Sequence, residues 1–217
     1  MDCIHIRLHF KKYFYKLQVF FRKSWIFLKK TAILPPKGVL MKHTLITVSG
    51  QLGSGKSTIV KMLGEKLGWQ TYSTGQAQRQ IAEKMGISTI ELNRLALTDK
   101  TIDEQIDAVF KNPPWGNHPC VVDSRLAFHF LPKSFKVCLR VDAQEAARRV
   151  FNANRSNEKY ANQEQALRYL IERRQLEQAH FMKNYQLDIE NDNLFDLVID
   201  TTNLTPEQVC DKLIQAL

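Results

Sequence analysis

The chain has 217 residues, 44% of them hydrophobic, which is enough for one well-buried domain and shows no obvious second. Its cysteines, Cys3, Cys120, Cys138 and Cys210, form no C-x-x-C pair, which argues against a structural zinc site and points to a reducing cytosol. The net charge of +9 is unevenly held: residues 1–40 carry nine of the 31 Lys/Arg and one of the 22 acids, so the rest is nearly neutral and offers no basis for nucleic-acid binding.

Residues 1–40 read as a basic, aromatic-rich extension. Phe10, Tyr13, Phe14, Leu17, Phe20, Phe21, Trp25 and Leu28 recur at helical spacing, with lysines and arginines between them. Such a helix suits an anionic membrane surface. No apolar run approaches the ~20 residues needed to span a bilayer. A second reading stands beside it: Met41 starts the protein and residues 1–40 are upstream translation. Membrane contact is expected only under the first reading.

From residue 41 to 217 the pattern changes. Thr44–Ser49 is an apolar, β-branched strand, followed by Gly50-Gln51-Leu52-Gly53-Ser54-Gly55-Lys56-Ser57-Thr58. This fits G-x-x-x-x-G-K-[ST], and Ile59, Met62, Leu63 and Leu67 then continue at helical spacing. A strand, a glycine loop and a helix N-terminus present backbone N–H groups to phosphate oxygens. Lys56 would reach the β- and γ-phosphates, and the Ser57 hydroxyl would ligate Mg²⁺. The expected ligand is a nucleoside triphosphate.

A short strand follows at 70–73, then helices near 76–85, 88–97 and 101–111, and a break at Pro113-Pro114-Trp115-Gly116. Strands are expected at 120–123 and 134–141, and Asp142 is a good N-cap for a helix running to about Phe151. A polar segment from Asn152 to Asn162 precedes a long helix from Gln163. The last pair is a strand at 194–200 and a helix opened by Thr205-Pro206. Strands alternating with helices imply a five-stranded parallel sheet covered on both faces.

Asp123 closes an apolar strand, the placement of an acid that holds Mg²⁺ directly or through water. Asp200 also closes a strand, but Thr201-Thr202 follows and a turn or cap role is expected. Arg79 and Arg125 lie just beyond strand ends, where ligands of open α/β sheets collect and a guanidinium fork could hold a second, acceptor phosphate. Arg149, Arg155 and Arg173 could close over the transferring phosphoryl group from the other side.

Taken in order, these residues resemble the cytidylate kinase family, in its compact archaeal-type form, within the P-loop nucleoside monophosphate kinases. The resemblance runs from about Thr44 to Leu217 and rests on Gly50–Thr58, Ser73-Thr74-Gly75 with Arg79, and Val121–Arg125. It continues through Arg149 with Arg155, Glu172-Arg173 with Glu177, Tyr185, and Phe195–Thr201. It implies a three-layer P-loop fold with a helical NMP-binding insertion near 74–118 and a short lid near 152–162. It also implies Mg²⁺-dependent transfer of the ATP γ-phosphoryl to CMP or dCMP by a cytoplasmic enzyme, expected to be a monomer; the residues leave open a small-molecule kinase of the same fold with a non-nucleotide acceptor, and a nucleotide-binding regulatory protein with low turnover. Gly50–Thr58 would bind ATP, with Ser57 and Asp123 at the metal. Ser73, Gly75, Arg79, Arg125, Arg173 and Glu177 would bind the acceptor, and Lys56, Arg149, Arg155 and Arg173 would act in catalysis. Three departures stand out: Gln76 where an acid is common, Asp123-Ser124 where the second residue is commonly Gly, and His180 where Arg commonly precedes the aromatic. His180 is expected on the helix surface.

Overall fold

The computed structural model describes residues 43–96, 99–153 and 160–217. The basic extension therefore lies outside the described residues, as do Arg155 and most of the expected lid. The elements run β1 (Leu45–Gly50), α1 (Lys56–Leu67), β2 (Gln70–Ser73), α2 (Thr74–Met85), α3 (Thr89–Ala96) and α4 (Lys100–Lys111). They continue β3 (Cys120–Asp123), α5 (Ala127–Phe130), β4 (Phe135–Arg140), α6 (Ala143–Asn152), α7 (Gln163–Tyr185), β5 (Leu197–Asp200) and α8 (Pro206–Gln215). The short α5 was not expected from periodicity; at four residues it is too brief to show a helical repeat.

All five strands are parallel, in the order β2-β3-β1-β4-β5. Central β1 is buried on both faces. Ile46 and Val48 join Ile59, Leu63, Val209 and Leu213 of α1 and α8 in the main core, while Thr47 and Ser49 turn the other way. That second face is polar yet closed: Thr47 bonds Ser134 Oγ at 2.9 Å, and Ser49 donates to the Arg125 carbonyl at 3.0 Å. Buried hydroxyls are tolerated there because each has a partner. Cys120, Cys138 and Cys210 are buried thiols, the first two as expected of core strands.

Helix starts follow the expected caps. Asp142 accepts from the backbone of Gln144 and Glu145, and Thr205 forms a capping box with Gln208 behind Pro206. Asp200 accepts from the Thr202 amide and hydroxyl, the turn role read from the sequence. Because the strands are parallel, Gly50, Ser73, Asp123, Arg140 and Asp200 all end at one edge of the sheet. No described helix is long and apolar enough to cross a membrane.

Candidate active site

A cavity of about 660 Å³ opens along this edge. One half is lined by Gly53–Thr58, Arg149 and the turn 201–206; the other by Gly75, Arg79 and residues of α3, α4 and α7.

The glycine loop is built for close approach. Gly50 has φ +134°, and a Cβ there would lie 2.2 Å from the Leu139 carbonyl oxygen of neighbouring β4. Gly55, at φ +86°, is the N-cap of α1 and offers no side-chain cap, so the helix opens with amide donors unclaimed by a cap. Lys56 folds back over the loop, donating to the Gly50 carbonyl at 2.8 Å and the Gln51 carbonyl at 2.7 Å. Burial first, then the Arg125 guanidinium, bring its ammonium from 10.5 down to about 7. A triphosphate would relieve both penalties.

Asp123 stands at the meeting point of the two halves. Register pairs it with Val48 on one side and Ser73 on the other, and its Oδ2 accepts from Ser57 Oγ at 2.6 Å and Ser73 Oγ at 3.1 Å. Among the described residues no cluster of three or more His, Cys, Asp or Glu could hold a metal. One hydroxyl and one carboxylate are nevertheless a fitting set for Mg²⁺, which keeps several waters and binds substrate phosphates instead of an all-protein cage.

Arg125, Arg173 and Glu177 form a buried charged group beside it. Arg125 Nη1 lies 2.5 Å from Glu177 Oε2, and Arg173 Nε donates to Glu177 Oε1 at 3.1 Å. Arg125 Nη2 is buried with no hydrogen-bond partner among the described residues, an orphan donor that suits an incoming anion. Burial pushes the Glu177 carboxyl up, but Arg125, Arg173 and Lys56 outweigh it and hold it below its ordinary range. Arg79 lines the same cavity, and a Cβ on Gly75, one turn earlier on α2, would sit 3.7 Å from its Nη1. Arg149 instead faces the donor half. Its Nη2 donates to the Thr201 and Thr202 carbonyls at 2.6 and 3.1 Å, and Nε to Glu145 at 2.7 Å. Gln76 is exposed and does not line the cavity.

His180 is not a surface residue. It is 7% exposed, and its Nε2 sits 3.0 Å from Asp103 Oδ1. Asn184 donates to Asp103 Oδ2 at 2.9 Å, and the Tyr185 hydroxyl to Asp107 Oδ2 at 2.6 Å. Sequence reasoning missed Asp103 and Asp107. Their signal was two carboxylates four residues apart, next to the apolar stripe Ile102, Ile106, Phe110 of α4.

A parallel sheet with a phosphate-binding loop after its central strand, and a helical segment facing that loop across one cavity, defines a P-loop protein of the kinase type. The chain belongs to the cytidylate kinase-like family, whose model matches residues 45–203. It is 34% identical over 177 residues to a cytidylate kinase of Ignicoccus hospitalis, covering 80% of this chain and 99% of that one. It is 37% identical over 173 residues to an S-adenosylmethionine-dependent nucleotide dehydratase of Lacinutrix mariniflava, covering 79% of this chain but only 35% of that longer protein. Among solved structures, a shikimate kinase of Bacteroides thetaiotaomicron shares the fold, with a TM-score of 0.53 at 14% identity over 79% of this chain and 96% of that one.

Proposed function

We propose that the protein is a nucleoside monophosphate kinase that moves the γ-phosphoryl of ATP to CMP or dCMP. The observation that carries this reading is Arg125. It is a buried guanidinium with an unpartnered nitrogen, in the same cavity as the glycine loop and near Lys56. Glu177 already balances the charge, but a neutral acceptor would leave that donor without a charged partner, whereas a monophosphate oxygen answers it.

In this reading Gly50–Thr58 hold the ATP phosphates and Lys56 leaves the loop carbonyls for the β- and γ-oxygens. Ser57 and Asp123 would hold Mg²⁺, whose positive charge would be supplied beside the phosphates. Ser73, Gly75, Arg79 and Arg125 seat the acceptor phosphate, with residues 74–118 as the acceptor-binding region. Glu177 orients Arg125 and Arg173. Phosphoryl transfer needs positioning and charge stabilisation more than covalent help, and this set supplies both. Arg149 would need to leave the Thr201 and Thr202 carbonyls to reach the phosphoryl group. Arg155, outside the described residues, is given the same role from its place in the sequence and the resemblance, with 152–162 as the lid that excludes water.

The likeness to a nucleotide dehydratase favours a second reading: the same transfer, on a nucleotide other than CMP. One experiment tests both. The full chain is incubated with ATP, Mg²⁺ and each of CMP, dCMP, UMP, AMP and GMP, and diphosphates are quantified. CDP or dCDP formation that Lys56→Ala abolishes supports the first reading, and another diphosphate the second. ATP hydrolysis indifferent to every monophosphate overturns both.

A further inference from the structure

The turn after β5 carries one side chain that meets three parts of the donor half. Thr201 is 2% exposed, and its hydroxyl reaches the glycine loop, β4 and α6. The oxygen lies 3.2 Å from the Ser54 carbonyl and 3.0 Å from the Arg140 carbonyl, while Arg149 Nη1 donates to it at 3.1 Å. A hydroxyl has one proton to give, and with Arg149 occupying a lone pair that proton faces the two carbonyls. The Arg140 oxygen already accepts the Thr201 amide at 2.9 Å. The Ser54 oxygen has no other hydrogen bond among the described residues, and Ser54 is itself 2% exposed, so it makes the stronger demand.

What this bond holds is a single peptide plane. Before it the loop is already fixed, because the Ser54 amide and hydroxyl both reach the Gln51 carbonyl, at 3.3 and 2.8 Å. The Ser54–Gly55 plane that follows is not. Turning it over changes ψ of Ser54 and φ of Gly55 together. Gly55, at φ +86° and with nothing within 4 Å of where a Cβ would lie, offers little resistance to that turn. In a planar trans peptide the N–H points opposite to the C=O, so the direction of the Ser54 oxygen sets that of the Gly55 amide. Gly55 lines the cavity, and its N–H has no hydrogen bond among the described residues.

We infer that Thr201 is a positioning residue for the triphosphate: by holding the Ser54 carbonyl, its hydroxyl keeps the Gly55 N–H turned towards the phosphates. This role rests on the ATP-binding half of the reading above and does not depend on the acceptor. Thr201 touches no reacting atom; it acts through the loop. Arg149 sets the polarity of the arrangement, since its donation leaves the Thr201 proton to the carbonyl side. A loop whose donors are oriented beforehand gives up little freedom when phosphates arrive, whereas a free peptide plane must first be ordered. Valine at 201 would match the shape of threonine without the hydroxyl and so release the plane.

The test uses the full chain. Calorimetry gives Kd for a non-hydrolysable ATP analogue with Mg²⁺ and for the monophosphate turned over best, and initial rates give kcat and KM for ATP. Thr201→Val should weaken the analogue about tenfold and raise KM for ATP to match, with the monophosphate Kd unchanged. Thr201→Ser, which keeps the hydroxyl, should stay within about twofold of wild type. If Thr201→Val fails to fold, Thr201→Cys, with a much weaker donor of similar size, should show the same loss. Analogue binding unchanged in Thr201→Val or Thr201→Cys overturns the inference. So does a loss in Thr201→Ser as large as in Thr201→Val, or an equal weakening of analogue and monophosphate, which marks general damage. Wild type that binds the analogue but phosphorylates no monophosphate overturns the kinase reading alone, and the variants then still decide the role of Thr201. No analogue binding by wild type overturns both.

Discussion

The Ser57 hydroxyl donates to Asp123 Oδ2 at 2.6 Å, joining the first turn of α1 to the end of β3 across 66 positions of sequence. The same oxygen accepts from Ser73 at the end of β2, so one carboxylate ties the donor loop to the start of the acceptor region. This pair locates the metal in the proposed reaction, and it is open to direct test.

Asp123→Asn keeps the shape and removes the charge. The expected outcome is a loss of about 10²–10³ in kcat with a higher Mg²⁺ requirement, the scale found when one electrostatic group at a reacting centre is lost. Initial rates over a Mg²⁺ titration check it; an unchanged Mg²⁺ dependence would remove Asp123 from the metal site.

Lys56, at about 7 in the free protein, should be protonated when it meets a triphosphate. Binding is then expected to take up little proton near pH 6 and close to one near pH 9, with affinity falling by up to about tenfold per pH unit above 7. Calorimetry in buffers of different ionisation enthalpy measures the uptake. The same shift affects folding. Between about 7 and 10.5 the unfolded chain binds more protons than the folded one, so this lysine makes stability rise with pH in that window.

Glu177 separates two buried guanidinium groups, and its own side chain is 9% exposed. Glu177→Ala leaves Arg125 and Arg173 uncompensated, and a loss of about 3–5 kcal/mol is expected. Denaturant unfolding gives the value. A loss below about 1 kcal/mol would mean that solvent or a rearranged partner already screens the pair.

Gly50 and Gly55 share a left-handed backbone but not their surroundings. Alanine at 50 would drive a methyl group into the Leu139 carbonyl at 2.2 Å, whereas nothing lies within 4 Å of the same atom at 55. Gly55→Ala should cost only backbone strain, about 1–3 kcal/mol. Gly50→Ala should cost more than about 4 kcal/mol. Thermal denaturation of the two variants side by side separates strain from collision.

Signals that act within a few residues were legible in the chain. The glycine loop, the caps at Asp142 and Thr205, the order of strands and helices, and the turn at Asp200 each depend on neighbours in sequence. Such features follow from backbone preference and periodicity, which need no knowledge of what lies across the molecule. The strand order, with β1 between β3 and β4, was not legible in this way. Nor were the companions of the site residues. His180 looked like a surface histidine because α7 is polar on most sides. Only its packing against α4 turns it towards Asp103, 77 positions away, as the same packing brings Tyr185 to Asp107. Arg149, expected to close over the phosphoryl group, lines the cavity while bonded to carbonyls of the turn after β5. The sequence by itself determined that a phosphate loop follows a buried strand in an α/β chain. Tertiary structure decided which distant polar groups share one cavity, because burial forces each to find a partner and only the fold determines which are within reach.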